Sequence, residues 1–411
     1  MIQRETSPSD RVDRSFSQRL LESAEGFGPD LVEVRRAVHR RPELGFEEEE
    51  TARLVTDRIE RWAPAASVRR IANTGVMATL GEGSPTVVLR ACLDALPVEE
   101  AGAGRGSSYA SDVPGVSHAC GHDGQVAVLL GAFRLLAQAP PSVRVLALFQ
   151  PAEEIDTGAR EVLADGLLDG LESEPVIAFG FHGHPGLDAG TVGVQPGPVM
   201  ASITTLRCEI LGREGHGAEP HLAADALTAA ASLVLDWQVA LARRVDPREP
   251  VVLSLGRIQA GIAPNVVPGR AEIEGTLRSL NPAIEESLKG ILSDVARGVE
   301  IRTGTNIRLE ADGVVPAVVN DPGVTAVAAK AATKVLGPGA LVGVDATLGG
   351  DDFAWYLREI PGCYLFVGER QKGRAPYGWH DAGYDIDERS LPVGSAVLAA
   401  AVHEAAEGGL G

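Results

Sequence analysis

Positive charge is scarce in this chain. Its 411 residues carry 37 Lys and Arg against 56 Asp and Glu, a formal net charge of −19. That balance argues against a nucleic-acid partner and against an anionic membrane surface, both of which call for a basic face. Cysteine is sparse too. Cys92, Cys120, Cys208 and Cys363 are widely separated, which excludes a disulfide framework and suits a reducing compartment. No apolar run approaches the roughly 20 residues of a membrane span. The stretch Met1–Asp13 is polar and lacks the apolar core of a signal peptide, so the cytoplasm is the expected location. Internal repeats and low-complexity segments are absent. What is present is 45% hydrophobic and 23% charged residues, the balance of a soluble globular protein. The length asks for two domains rather than one core.

The densest chemistry lies in Ser117–Gly124, which reads Ser-His-Ala-Cys-Gly-His-Asp-Gly. Imidazole, thiolate and carboxylate are the usual transition-metal ligands, and the glycines allow close backbone approach. Upstream, residues 1–28 read as a loose polar arm. Asp30 is placed to cap a helix carrying Leu31, Val34 and Val38 on one face, stopped by Pro42. A second helix is expected from Glu47 to Trp62. Val87–Leu93 is a buried strand that delivers Asp94 at its C-terminal end, where open α/β sheets place their chemistry. A Gly/Ser-rich loop (101–116) follows, then a helix from Asp123 with Val126, Leu129, Leu130 and Phe133 inward. The strand Val143–Phe149 delivers Glu153 and Glu154, and the strand Val176–Phe181 ends in His182. Three successive strands thus end in potential ligands, which predicts one polar site on one edge of a mostly parallel sheet.

After Gly197-Pro198 the pattern changes to strand 202–211, helix 222–243, strands 251–260 and 270–279, helix 283–301 and strand 306–311. This βαββαβ order predicts a ferredoxin-like domain inserted at 199–312. The α/β character returns from 313 with helix 322–335, a loop at 348–352, strand 363–367 and a final helix near 391–405. The domains expected are therefore 1–198 with 313–411, and 199–312.

The chain resembles the two-metal aminoacylase and carboxypeptidase family, in the branch of hippurate hydrolases and auxin-conjugate amidohydrolases. The strings that carry the resemblance begin with His39-Arg-Arg-Pro-Glu-Leu-Gly-Phe46, His118-Ala-Cys-Gly-His-Asp-Gly124 and Phe149-Gln-Pro-Ala-Glu-Glu154. They continue with Gly180-Phe-His182, Gly215-His-Gly-Ala-Glu-Pro-His221, Asn265-Val-Val-Pro268 and Gly275-Thr-Leu-Arg278. Asp352-Phe353 and Trp379-His380 through Asp387-Glu388 complete the set. The resemblance implies a zinc-aminopeptidase-like catalytic domain with an inserted dimerisation domain. It implies Cys120, His122, Glu154, His182 and His380 as ligands of one or two divalent ions, manganese or zinc before cobalt or nickel. Glu153 becomes the general base, and Asp94 the partner that orients a ligand histidine. His216 is expected to serve the active site of a partner subunit, so that the chain is a homodimer through the inserted domain. His216 is expected to stabilise the oxyanion there with Asn265 as a further substrate-binding donor, and Arg278 is the candidate for holding a carboxylate of the small substrate; the alternative for Arg278 is a salt bridge on a strand face. His39, His184 and His221 read as structural, and His403 as a surface residue.

Several departures surround the site. Cys92-Leu93-Asp94 stands where the resemblance expects Asp-Met-Asp, and Gln125-Val126 replaces His-Thr. Ile155-Asp156-Thr157-Gly158 replaces a glycine-rich run, and Gly350-Asp351-Asp352-Phe353 a Ser-Glu-Asp-Phe loop. The expected activity is hydrolysis of the amide of small N-acyl or N-aroyl amino acids by metal-activated water. Two alternatives stand beside it: an aminohydrolase releasing ammonia from a small aromatic amine, and a non-catalytic binding protein on the same fold.

Overall fold

The computed structural model describes residues 8–101, 107–371, 373 and 377–408, with side chains from residue 16 onward. The start of the expected polar arm (1–7) and part of the Gly/Ser loop (102–106) lie outside these residues. The chain forms two compact units, one of residues 1–197, 319–345 and 355–411, the other of 198–318 and 346–354. The second unit thus takes in the stretch around Asp351 and Asp352 as well as the inserted segment.

The first unit opens with α1 (Pro8–Gly26), α2 (Gly28–Arg40) and α3 (Glu49–Trp62), then β1 (Ser67–Ile71), β2 (Gly75–Leu80) and β3 (Thr86–Cys92). It continues with α4 (His122–Gln138), β4 (Arg144–Gln150), α5 (Gly158–Ala164), β5 (Val176–Asp188) and β6 (Val192–Gly193). After β7 (Gly197–Met200) come the second unit's β8 (Ser202–Leu211), β9 (Gly215–His216), α6 (Ala226–Arg244), β10 (Val251–Ala260), β11 (Val266–Val267), β12 (Arg270–Ser279), α7 (Glu285–Thr303) and β13 (Asn306–Val315). The remainder is β14 (Val318–Asn320), α8 (Pro322–Leu336), β15 (Leu341–Val342), α9 (Ala354–Glu359), β16 (Gly362–Arg370) and α10 (Ser390–Ala406).

An eight-stranded sheet in the order β1-β2-β4-β3-β5-β16-β6-β15 is the frame of the first unit. β3 runs parallel to both β4 and β5, and β16 parallel to β5. β2 is antiparallel to β1 and to β4. All seven positions of β3 are buried, as expected of a parallel strand covered on both faces. The central helix α4 is buried at 14 of its 17 residues. It packs against α10 at close range: a Cβ on Gly131 would come within 2.3 Å of Ser395 Oγ. Ser395 Oγ in turn donates to Val128 O at 3.0 Å.

Three expectations need correction here. Residues 8–26 form a helix, and its Leu20 and Ala24 belong to the core. Asp30 does not cap α2, which starts at Gly28; it pairs instead with Arg134 at 2.7 Å. His182 does not end a strand but sits within β5, which runs on to Asp188.

The second unit has its own core, around Leu206, Ile210, Leu233, Trp237, Ile273, Leu292 and their neighbours. Its four strands run β10-β12-β8-β13, every neighbouring pair antiparallel. The βαββαβ order read from the sequence is present. Trp237 is fully buried, and its indole N–H donates to Leu292 O at 3.0 Å, which satisfies the one polar atom that burial would otherwise strand.

Candidate metal centre

The ends of β3 and β4, the interior of β5 and the start of α4 bring the metal-binding residue types of the first unit together. Gly121 adopts φ +87°, a conformation that costs glycine little, and α4 begins directly after it with His122. Cys120 precedes that turn. After β4 the chain turns at Ala152, a non-glycine residue with φ +55°, and this turn presents Glu153 and Glu154. Glu48 holds the turn in place. Its buried carboxylate accepts from Ala152 N–H at 2.8 Å and from the Thr74 hydroxyl at 2.5 Å. Gly158 closes beneath: its N–H donates to Ala152 O at 3.1 Å, and a Cβ there would lie 1.7 Å from Pro151 O.

His182 Nδ1 donates to Gly183 O at 2.8 Å, which turns Nε2 toward Cys120 Sγ at 3.3 Å. Trp379 donates to the same carbonyl at 2.9 Å and stands edge-on to His182 with ring centroids 5.4 Å apart. Beside it, His380 has φ +65° and its N–H donates to Ala119 O at 2.8 Å. His122 Nδ1 donates to Asp94 O at 2.9 Å. Its Nε2 faces Glu153 at 3.7 Å and Glu154 at 3.9 Å, and His380 Nε2 lies 3.5 Å from Glu154. Asp94 also accepts the Glu154 N–H at 2.8 Å.

Two of the donor groups that result share Cys120, namely Cys120–His122–His182 and Cys120–Glu154–His380, with the ligand atoms of each within 4.8 Å of one another. Nitrogen, sulfur and oxygen in this mixture suit borderline-soft divalent ions. The fit is supported by His122 Nε2, a buried polar atom with no hydrogen-bond partner among the described residues. Such an atom is costly unless something coordinates it. The local field also favours a cation. Burial alone would lower the pKa of His122, but the Asp94 hydrogen bond and the charges of Glu154 and Asp94 push it up to about 9. Burial, then the charges of Glu154 and Glu153, pushes the Cys120 thiol well above its ordinary range. A bound cation would reverse that and deprotonate it.

The next residue, Asp123, anchors the start of α4. Arg35 and His39, one turn apart on α2, both donate to Asp123 Oδ2, at 2.6 and 2.7 Å. His39 Nε2 meets Glu100 at 3.1 Å, so His39 is a structural histidine held between two carboxylates. Burial and Arg35 act to lower its pKa, yet the two carboxylates win and raise it. His118 is not drawn into this network. It is buried, with neither ring nitrogen hydrogen-bonded among the described residues, and burial lowers its pKa to about 3. His184 stacks edge-on against Trp379 and Phe366. His403 is not a surface residue; it is half-buried, its ring 4.8 Å from that of Phe16.

His216, Asn265 and Arg278 belong to the second unit. His216 is exposed and pairs across β9 and β11 with Val266, so Asn265 is its near neighbour, accepting Gly217 N–H at 2.9 Å. Arg278 is half-buried and gives one N–H to Leu348 O at 2.8 Å. His221 is exposed. Sequence reading overlooked Arg35 and Glu48. Glu48 is hidden in the run Glu47–Glu50, which looks like a solvated helix start. Arg35 is one of many arginines, and only its helical spacing to His39 marks it.

Residues 88–404 match the model of peptidase family M20/M25/M40. The chain belongs to that family. A Rhodococcus jostii protein that bears the name of a glutamate–cysteine ligase is 37% identical over 383 residues, which are 92% of this chain but 47% of that one. This M20 chain therefore spans about half the length of that relative. The N-acetylcysteine deacetylase of Bacillus subtilis is 34% identical over 381 residues, covering 91% of this chain and 96% of the relative. Among solved structures, the YXEP protein of Bacillus subtilis, described as a dinuclear metal-binding peptidase of the M20 family, superposes with a TM-score of 0.81. It is 32% identical, over 93% of this chain and 99% of that one.

Proposed function

We propose that this chain is a metal-dependent amidohydrolase that cleaves the amide bond of small N-acyl or N-aroyl amino acids. The observation that carries the reading is the pair of donor groups sharing Cys120, with Glu153 beside them. Cys120, His122, Glu154, His182 and His380 would hold the divalent ions, zinc or manganese first and cobalt or nickel next. Bound there, the ions would supply Lewis acidity to a substrate carbonyl and to water. Glu153 takes a proton from the attacking water and returns it to the leaving amine as the C–N bond breaks. Asp94 fixes the His122 ring through its carbonyl, so that Nε2 and not Nδ1 faces the ligand position.

We assign His216 and Asn265 to stabilising the oxyanion in the site of a partner subunit, and Arg278 to binding a substrate carboxylate through its fork. The dimer would form through the second unit. Its β10 is an outer strand, and Ile258 and Ile262 near that edge are exposed. No helix among the described residues is long and apolar enough to cross a membrane; we place the enzyme in the cytoplasm.

The test is metal content per chain on untagged protein, with turnover of N-acetylcysteine and hippurate before and after chelation. Turnover lost on chelation and restored by zinc or manganese, with a free amino acid as product, is the expected result. Bound metal with no turnover of either substrate would refute the substrate class. Release of ammonia from a small aromatic amine would then favour the aminohydrolase alternative.

A further inference from the structure

The end of β3 brings one more sulfur into the centre. Cys92 is the last residue of β3, fully buried, with its N–H donating to Gln125 Oε1 at 3.1 Å. Cys92, His122 and Glu153 form a further group, all three buried, whose ligand atoms lie within 4.8 Å of one another. An independent observation points to the same place. His122 commits Nδ1 to Asp94, while Nε2 is buried, has no hydrogen-bond partner among the described residues, and faces Glu153 Oε2 at 3.7 Å. A thiol and a carboxylate converging on that nitrogen are a donor set for a soft or borderline ion.

We propose that Cys92 is an additional metal ligand, so that the metal centre as a whole holds two thiolates, Cys92 and Cys120, and favours zinc over manganese. This rests on the metallohydrolase reading above. Thiolate is the soft donor in the set, and manganese is the ion it serves worst. On binding, the Cys92 thiol gives its proton to solvent, as any metal-bound cysteine must. Glu153 need not be a ligand for this to hold; Cys92 and His122 supply the donors, and Glu153 keeps its proton-transfer role.

Cobalt provides the test, because a cobalt–thiolate bond adds a near-ultraviolet charge-transfer band whose intensity follows the number of sulfurs. Metal-free wild-type protein, C92S, C120S and the double variant are loaded with cobalt(II) and their spectra compared per bound ion. C363S serves as the control for a buried thiol elsewhere. Each single serine variant at 92 or 120 is expected to lose about half of the band, and the double variant all of it. A parallel zinc–manganese competition should show a weaker preference for zinc in C92S. A full band in C92S with complete loss in C120S would overturn the proposal and leave the metal centre intact. A wild-type protein that binds cobalt without any such band would overturn both. C92A is the second variant should C92S not fold, with far-ultraviolet spectra of each metal-free form as the check.

Discussion

Removing Arg35 should do far more damage than removing its neighbour Arg36. The Arg35 side chain is 1% exposed and serves three carboxylates: Asp123 at 2.6 Å, Asp385 at 2.9 Å and Glu388 at 3.5 Å. Alanine at this position leaves Asp123, itself fully buried, with His39 at 2.7 Å as its remaining ion-pair partner among the described residues. Breaking a buried ion pair from one side costs about 3–5 kcal/mol, because the remaining charge stays desolvated. Arg36 makes a better-looking bidentate pair, both nitrogens reaching Glu388 at 2.7 Å, but its side chain is 38% exposed. Exposed pairs are worth about 0.2–1 kcal/mol. Urea titration of chelator-treated R35A and R36A at pH 7, followed by tryptophan emission and far-ultraviolet ellipticity, measures both. R35K should not rescue, since a compact ammonium cannot serve three acceptors that a planar fork reaches. R35M/D123N should recover part of the loss, because no unpaired charge remains at Asp123. If R35A and R36A cost the same within about 1 kcal/mol, burial is not what sets the worth of these pairs, and the reasoning fails.

Glu153→Gln should lower turnover by about 10²–10⁴-fold while leaving metal content per chain unchanged; loss of metal instead would make Glu153 a ligand rather than a base. Gly158→Ala forces a Cβ into Pro151 O, and the turn carrying Glu153 and Glu154 must move. We expect about 1–3 kcal/mol of lost stability and a drop in activity, and unchanged melting and kinetics would show that the turn tolerates it. Burial holds the half-buried His403 imidazole below its ordinary range. A folded-state pKa depressed in this way gives stability that is present above about pH 6.5 and is lost as pH falls toward the folded value. His403→Leu should therefore gain on wild type as pH falls from 8 to 5, by at most about 1.4 kcal/mol per unit. The same melting difference at both ends of that range would contradict it.

The elements that were legible in the sequence are those whose burial leaves a continuous apolar run. Val87–Leu93, Val143–Phe149 and the helix after Asp123 were readable because both faces of a central strand, and nearly all faces of α4, must be apolar. The βαββαβ insert was readable from its alternation. What escaped was amphipathic or polar. α1 buries Leu20 and Ala24, but its frequent charges made it look like solvated chain. The hairpin of β1 and β2 went unassigned, since β1 exposes most of its residues. His182 was placed at a strand end because Gly183 and Pro185 look like breakers, yet β5 continues through them along its partner β16. The ligand types and their loops could be named; Glu48 and Arg35 could not, because a buried charge is written with the same letter as a solvated one.

The position of β16 has a consequence for how the protein is made. It pairs with β5 in the middle of the sheet, with Phe366 beside His182, and α10, later still, covers α4. The second unit is almost continuous in sequence and has its own core, so it can finish folding while the first unit is incomplete. Between translation of β5 and of β16 lie about 180 residues, roughly 10–40 s at ordinary synthesis rates. Throughout that interval β5 offers an unpaired edge and α4 a bare apolar face, the two features most prone to mispairing. A chain terminated after residue 354 but before β16 begins at Gly362 would be released with the second unit complete and an open, adhesive first one. Chaperone demand in this protein should therefore peak late in synthesis.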